Sequence, residues 1–242
     1  MWRSDIWSGY LKGGRSGHPS SFSSAYGEWT VPAISSTSTD LTAQVVVWIG
    51  IGGGGPYRGL PDTGSVIQIG TGAYYDKTSK SPRYYAWWET IEPSNPLPEQ
   101  PISNTIMPGD QIKAFVNQLN GSLWLVGLIN DTQNWVFAQK VTYNGDITTA
   151  EFIVEAPQTG IGPGRTVLPL ANYGEVRFDN CLINGQNPNF DLGDWGEMYP
   201  PYNPNKTISR PGAPDRTPDL NIEGDGFYVV YGHIYPGAPI DS

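Results

Sequence analysis

Ala150-Glu151-Phe152-Ile153-Val154-Glu155-Ala156-Pro157 reads as a buried β-strand that carries two acids. Strand side chains alternate, so Glu151, Ile153 and Glu155 share one face while Phe152 and Val154 take the other. Two carboxylates on one side of an otherwise apolar strand ask for a chemical explanation. The plainer reading is a solvated strand face, with Phe152 and Val154 toward the core.

Turn signals surround this strand. Asn144-Gly145 predicts a hairpin joining residues 135–143 to 147–156, and Asn120-Gly121 predicts another joining 111–119 to 122–129. Upstream, residues 43–51 place Val45, Val47, Ile49 and Ile51 on one face and Val46 with Trp48 on the other, the pattern of a central strand covered on both sides. A shorter strand over 65–71 puts Gln68 among apolar neighbours, and 82–90 is dense in aromatics: Tyr84, Tyr85, Trp87 and Trp88. Residues 226–231 form a closing strand. No segment of useful length shows a helical period and no internal repeat is found, so the expected class is an all-β antiparallel sandwich or barrel. A chain of 242 residues suits one domain spanning 1–242. Two stretches read as irregular, 13–23 and the Pro- and Asn-rich 184–218, the second either a functional lid or an ordered surface wrap.

Composition excludes several classes of function. Charged residues make up 15% of the chain, against roughly 25% in typical domains, and the net charge is -9. That balance argues against a nucleic-acid partner and against an anionic membrane surface. A fold with few ion pairs also loses little when its carboxylates protonate, which is compatible with acid surroundings. The lone Cys181 cannot form an internal disulfide, and with only His18 and His233 beside it no zinc cluster is credible. No metal or cofactor is expected. No run approaches a membrane span, and Met1-Trp2-Arg3-Ser4-Asp5 does not begin a signal peptide, so the chain is either cytoplasmic or a mature form without its leader.

Several motifs carry little. Gly14-Arg15-Ser16-Gly17-His18 is the nearest approach to a serine-hydrolase arrangement and reads as a flexible loop, Cys181 reads as a small buried hydrophobe, and the glycines at 52–55 read as a mobile turn lacking the Lys of a phosphate loop. Asn120, Asn130 and Asn205 begin glycosylation sequons. More informative is Gln68: an amide in an apolar strand is costly unless partnered, and the strands around it carry Trp48, Trp87 and Glu89. An amide, carboxylates and tryptophans on one concave sheet suit a groove for a polymer. Three functions fit it: glycoside hydrolysis by two carboxylates, glycan binding without turnover, and amide hydrolysis by one carboxylate with one carboxamide. For the first, Glu151-Phe152-Ile153-Val154-Glu155 lacks the central Asp of the jelly-roll glucanase strand, and its acids have Cα atoms ~13 Å apart.

The third is supported by a resemblance. Asp5-Ile6-Trp7-Ser8-Gly9-Tyr10, Gly27-Glu28-Trp29-Thr30-Val31-Pro32, Trp48-Ile49-Gly50-Ile51, Ile67-Gln68-Ile69-Gly70-Thr71, Ala86-Trp87-Trp88-Glu89 and Ala150-Glu151-Phe152-Ile153-Val154-Glu155 follow the order found in the glutamic peptidases, or eqolisins. The resemblance implies two large antiparallel sheets packed as a bent sandwich, a concanavalin-like jelly roll with the catalytic pair in a concave groove. It implies Gln68 and Glu151 as that pair, with Trp48 lining the site. Trp87, Glu89 and Glu155 are further candidates for the substrate groove. Glu155 either tunes Glu151 through like charge or holds a structural hydrogen bond. The resemblance also implies an acid-acting endopeptidase on protein or peptide substrates, monomeric and secreted. Two departures stand out: Gly52 replaces the family's usual Asp after the Trp-x-Gly-Ile strand, and Phe152 replaces a common Trp.

Overall fold

A computed structural model describes residues 1–35, 43–76, 78–93, 97–160, 164–201, 204–219 and 221–241. Strands β1 (Trp2–Ser4), β2 (Trp7–Gly13), β3 (Ser24–Thr30) and β4 (Gln44–Ile51) lead into a 3-10 turn at Gly55–Arg58. One meander follows, β5 (Val66–Asp76), β6 (Ser81–Ile91) and β7 (Leu97–Ile102), and then a second, β8 (Gln111–Asn120), β9 (Leu123–Asn130) and β10 (Trp135–Thr142). The remainder comprises β11 (Thr149–Glu155), β12 (Gln158–Thr159), β13 (Thr166–Val167), β14 (Glu175–Ile183), β15 (Trp195–Met198), β16 (Ser209–Pro211) and β17 (Phe227–Tyr231).

Hydrogen bonding runs continuously in the order β10-β9-β8-β3-β14-β17-β16-β15-β2-β11-β4-β5-β6-β7. That ribbon bends back on itself, bringing β3, β8 and β9 against β4, β5 and β11. The result is the expected all-β sandwich. Its core joins Ile49, Ile67, Phe152 and Val154 of one layer to Trp29, Ala114, Val126 and Phe178 of the other. The opposite face of the first layer has its own cluster, including Trp7, Leu11, Val46, Trp48, Trp87 and Ile153. The alternation read from β4 and β11 therefore holds, and β11 is central, flanked by β2 and β4.

Two expectations are corrected. Asn144-Gly145 does not close a hairpin: β10 pairs only with β9 at one end of the ribbon, while β11 lies in the other layer. Neither Asn144 nor Gly145 takes the positive φ that such a turn requires. The segment instead crosses between layers, anchored by Asn144 N–H on Glu92 and Asp146 N–H on Ser65 Oγ. The region 184–218 is not merely irregular, for it supplies β15 and β16, which bridge β2 to β17 where the ribbon turns over. The stretch 13–23 is without strand as read, except that Gly13 ends β2.

Gly9 shows how tightly β2 and β11 approach. It holds φ +145°, and a Cβ there would lie 2.1 Å from Phe152 O on β11. Gly9→Ala is expected to cost about 2 kcal/mol or more, read as a lower urea midpoint. An unchanged midpoint would mean that the strand pair yields freely at this point.

Candidate active site

Strand register lays out the concave face in rows. Leu11, Glu151, Gly50, Gln68 and Glu89 stand side by side across β2, β11, β4, β5 and β6. The next row is Gly9, Ile153, Trp48, Gly70 and Trp87, and the third is Trp7, Glu155, Val46, Gly72 and Tyr85. All six candidate residues thus share one face, as the period-2 reading requires.

They do not share one environment. A cavity of about 480 Å³ opens on this face, lined by Gln68, Trp87, Glu89 and Glu155 among others. Glu151 is not in its wall. Its side chain is fully buried, and the chain after β4 folds over it so closely that a Cβ on Gly54 would come 2.7 Å from Glu151 Oε1. The glycines at 52–55 thus form an ordered cover, with Gly54 N–H bonded to Thr149 Oγ1 at 3.2 Å. Both Glu151 oxygens are without a hydrogen-bond partner. Burial pushes this carboxyl well above the ordinary carboxylate range, and nearby Thr149 offsets only part of that.

Glu155 is different. It ends β11 at the cavity wall, half-buried, and its Oε2 accepts a hydrogen bond from Trp48 Nε1 at 2.7 Å. Burial raises its pKa to about 8; the Trp48 bond opposes that rise and the Glu89 charge adds to it. Trp48 itself is fully buried and packs edge-on against Trp7, with ring centroids 5.0 Å apart. Trp48 thus stands behind the wall, where it fixes Glu155, while Trp87 lines the opening.

Gln68 is buried, and its Nε2 donates to Glu89 Oε1, leaving its own Oε1 without a partner. The amide that looked costly in an apolar strand is therefore half satisfied by a neighbour directly across the ladder. Glu89 is raised to about 7, mainly by burial, with the Gln68 bond opposing and Glu99 adding. A register shift between Trp88 and Thr90 frees Glu89 from regular pairing with β7. No Lys, Arg or His appears among the cavity's described lining residues. In acid this site is a nearly neutral set of protonated carboxyls around the Gln68 amide, with Gln158 also in the lining.

Sequence reasoning passed over Trp7 and Glu99, which also line the cavity. Glu99 belongs to β7, whose Pro98 and Pro101 argue against a strand; β7 is the edge of the ribbon, where proline is tolerated. A second cavity holds Lys12, Arg15, Ser16 and His18. Its His18 Nδ1 accepts from Gly13 N–H and its Nε2 faces Asp194, so no serine–histidine pair forms there. Cys181 is fully buried, as read.

Comparison with known proteins agrees with this architecture. The model of the peptidase A4 family matches residues 5–207. Scytalido-glutamic peptidase, crystallised with a transition state analogue inhibitor, superposes with a TM-score of 0.69 at 22% identity, over 94% of this chain and 98% of that one. SCP-B, a member of the eqolisin family in complex with the tripeptide Ala-Ile-His, gives 0.64 at 21% identity over 94% and 98%. Aspergilloglutamic peptidase from Aspergillus niger gives 0.56 at 22% identity over 78% and 99%. No curated protein sequence matches the chain significantly.

Proposed function

The chain belongs to the peptidase A4 family and is a peptide hydrolase, and we propose that it cleaves protein substrates internally through Gln68 and Glu151, with Glu155 bounding the groove. Membership of a peptidase family sets aside the glycosidase and lectin readings. The observation that supports this pair is that Gln68 and Glu151 flank Gly50 in one row, with no side chain between them, and that Gln68 Oε1 and both Glu151 oxygens have no partner, whereas Glu155 stands two rows from Gln68 along the strands. Substrate reaches Glu151 by displacing the cover at Gly54.

Peptide hydrolysis needs a proton taken from water and a proton given to the departing amine. Burial holds the Glu151 carboxyl well above the ordinary carboxylate range, so Glu151 is protonated in acid and acts from the acid form. One carboxyl oxygen gives its proton to the scissile carbonyl oxygen while the other accepts a proton from the attacking water. A neutral tetrahedral diol results, and Glu151 is again protonated. In the second step Glu151 protonates the amide nitrogen, the C–N bond breaks, and a diol hydroxyl returns its proton to Glu151. Gln68 supports both steps as a neutral donor and acceptor at every working pH. Its free Oε1 accepts from the attacking water, and its second amide N–H donates to the carbonyl oxygen, where charge develops. Glu155, held by Trp48 Nε1, bounds the groove beside them.

A pH profile follows. A carboxyl raised well above 4.5 remains protonated throughout the acid range and loses its proton only at higher pH. On an unfolded protein substrate, kcat/KM is expected to stay high across pH 4–6 and to decline as Glu151 ionises above that range. A monotonic rise from pH 4 to pH 8 would show that the ionised carboxylate is the working form.

A further inference from the structure

Away from the groove, β14, β17 and the C-terminal tail bring four aspartates together. One carboxylate oxygen from each of Asp179, Asp215, Asp225 and Asp241 lies within 4.8 Å of the others. Acidic clusters on a surface are common, but this one has a buried member. Asp215 is fully buried; its Oδ1 accepts from Gly224 N–H at 2.8 Å and Asp225 N–H at 3.1 Å, and its Oδ2 has no partner. An unpaired carboxylate oxygen in the interior is costly unless something positive meets it.

Backbone geometry points the same way. At Gly226 a Cβ would lie 2.5 Å from Asp215 Oδ2, 2.8 Å from Phe178 O and 3.1 Å from Asp179 Oδ1. Glycine at this position thus keeps a side chain out of the space beside Asp215 Oδ2, Asp179 Oδ1 and the Phe178 carbonyl. The register of β14 breaks just after Asp179, before Leu182, with Asn180 at φ +48°. The tail is held in position by Arg216 N–H on Pro239 O and Asp241 N–H on Arg216 O. Arg177 Nη2 bonds Asp179 and Asp241 at the edge of the cluster.

We propose that Asp179, Asp215, Asp225, Asp241 and the Phe178 carbonyl form a binding site for a hard divalent cation, specifically calcium. An all-oxygen donor set of carboxylates and one carbonyl suits calcium, whose ligands at 2.3–2.6 Å put opposite oxygens up to about 5 Å apart. Magnesium, with ligands at about 2.0–2.1 Å, demands a smaller and more regular shell. Bound calcium would tie the tail to the Asp215 and Asp225 loops and stabilise the folded chain by mass action. Asp179, Asp225 and Asp241 are each half-buried, so the site is reachable from solvent.

Chelator-treated protein at pH 7 is titrated with calcium chloride and with magnesium chloride by calorimetry, and its thermal unfolding is followed with each. One calcium per chain is expected, with Tm rising by about 5 °C at a hundredfold excess over the dissociation constant and magnesium bound at least tenfold more weakly. Asp215→Asn is expected to abolish binding. Because that buried change can impair folding, Asp241→Asn on the half-exposed tail provides the second variant, with calcium affinity reduced at least tenfold and the circular dichroism spectrum unchanged. No calcium heat and no Tm shift in the wild type would overturn the site, as would unaltered affinity in a folded Asp241→Asn protein or equal affinity for magnesium. Peptidase activity does not enter the test, so its outcome is independent of the assignment of Gln68 and Glu151.

Discussion

Glu151→Gln lowers cleavage of an unfolded protein at pH 4 by a factor of about 10²–10⁴, the range for removal of a positioned proton-transfer group. The substitution keeps the volume of the side chain, so the near-ultraviolet dichroism of the buried tryptophans is expected to persist. Only the exchangeable carboxyl proton is lost. Glu155→Gln has a different outcome: its amide oxygen can still accept the Trp48 N–H, and it stands two rows from Gln68, so turnover is little changed. A silent Glu151→Gln together with a dead Glu155→Gln would transfer the catalytic role to Glu155.

Stability distinguishes the same two acids. Their folded pKa values lie above the ordinary value near 4.5, so above that pH the unfolded chain sheds protons that the folded chain retains. Their contribution is fully present below about pH 4.5 and is lost as pH rises, through about 8 for Glu155. Glu151→Gln flattens this decline, because a neutral amide has no proton to lose. A carboxylate pair in an otherwise apolar strand is therefore tolerable in a protein that works in acid, where both groups stay uncharged.

Much of this site was legible from alternation alone. Period-2 patterning put Glu151 and Glu155 on one face of β11 and Trp48 on the matching face of β4, and the oddity of an amide among aliphatic residues singled out Gln68. What alternation cannot give is depth. Glu151 and Glu155 are equivalent by pattern, yet Glu155 ends its strand just before Ala156-Pro157, where the sheet opens, and Glu151 faces Gly50 and lies beneath the cover that follows Ile51. The glycines at 52–55 were the available signal: such a run permits close approach as readily as mobility. The Asn144-Gly145 error has a related cause. A turn dipeptide states a local preference, whereas Tyr143, fully buried with its N–H on Ser122 O, and Ser65 and Glu92 in the opposite layer determine where the chain goes next.

Gln68→Ala reduces kcat by about 10²–10³, or about 2.7–4 kcal/mol of lost transition-state stabilisation, with KM little changed. Substrate affinity comes from the length of the groove, whereas the amide contributes most as charge builds on the carbonyl oxygen. The deletion also removes the larger of the two hydrogen bonds that hold Glu89 down, the other coming from the Glu99 backbone, so Glu89 titrates above its value of about 7. A merely structural Gln68 would lower stability without this paired signature of a kcat loss and an upward shift in one ionisation of the pH profile. Gln68→Glu separates the roles further: it retains the length of the side chain but places a second carboxyl against Glu89, which at low pH shares a proton and at neutral pH repels. Activity for that variant is expected to be partly restored at pH 4 relative to alanine and to disappear by pH 7. Equal activity of the alanine and glutamate variants at pH 4 would show that Gln68 acts through packing rather than through its hydrogen bonds.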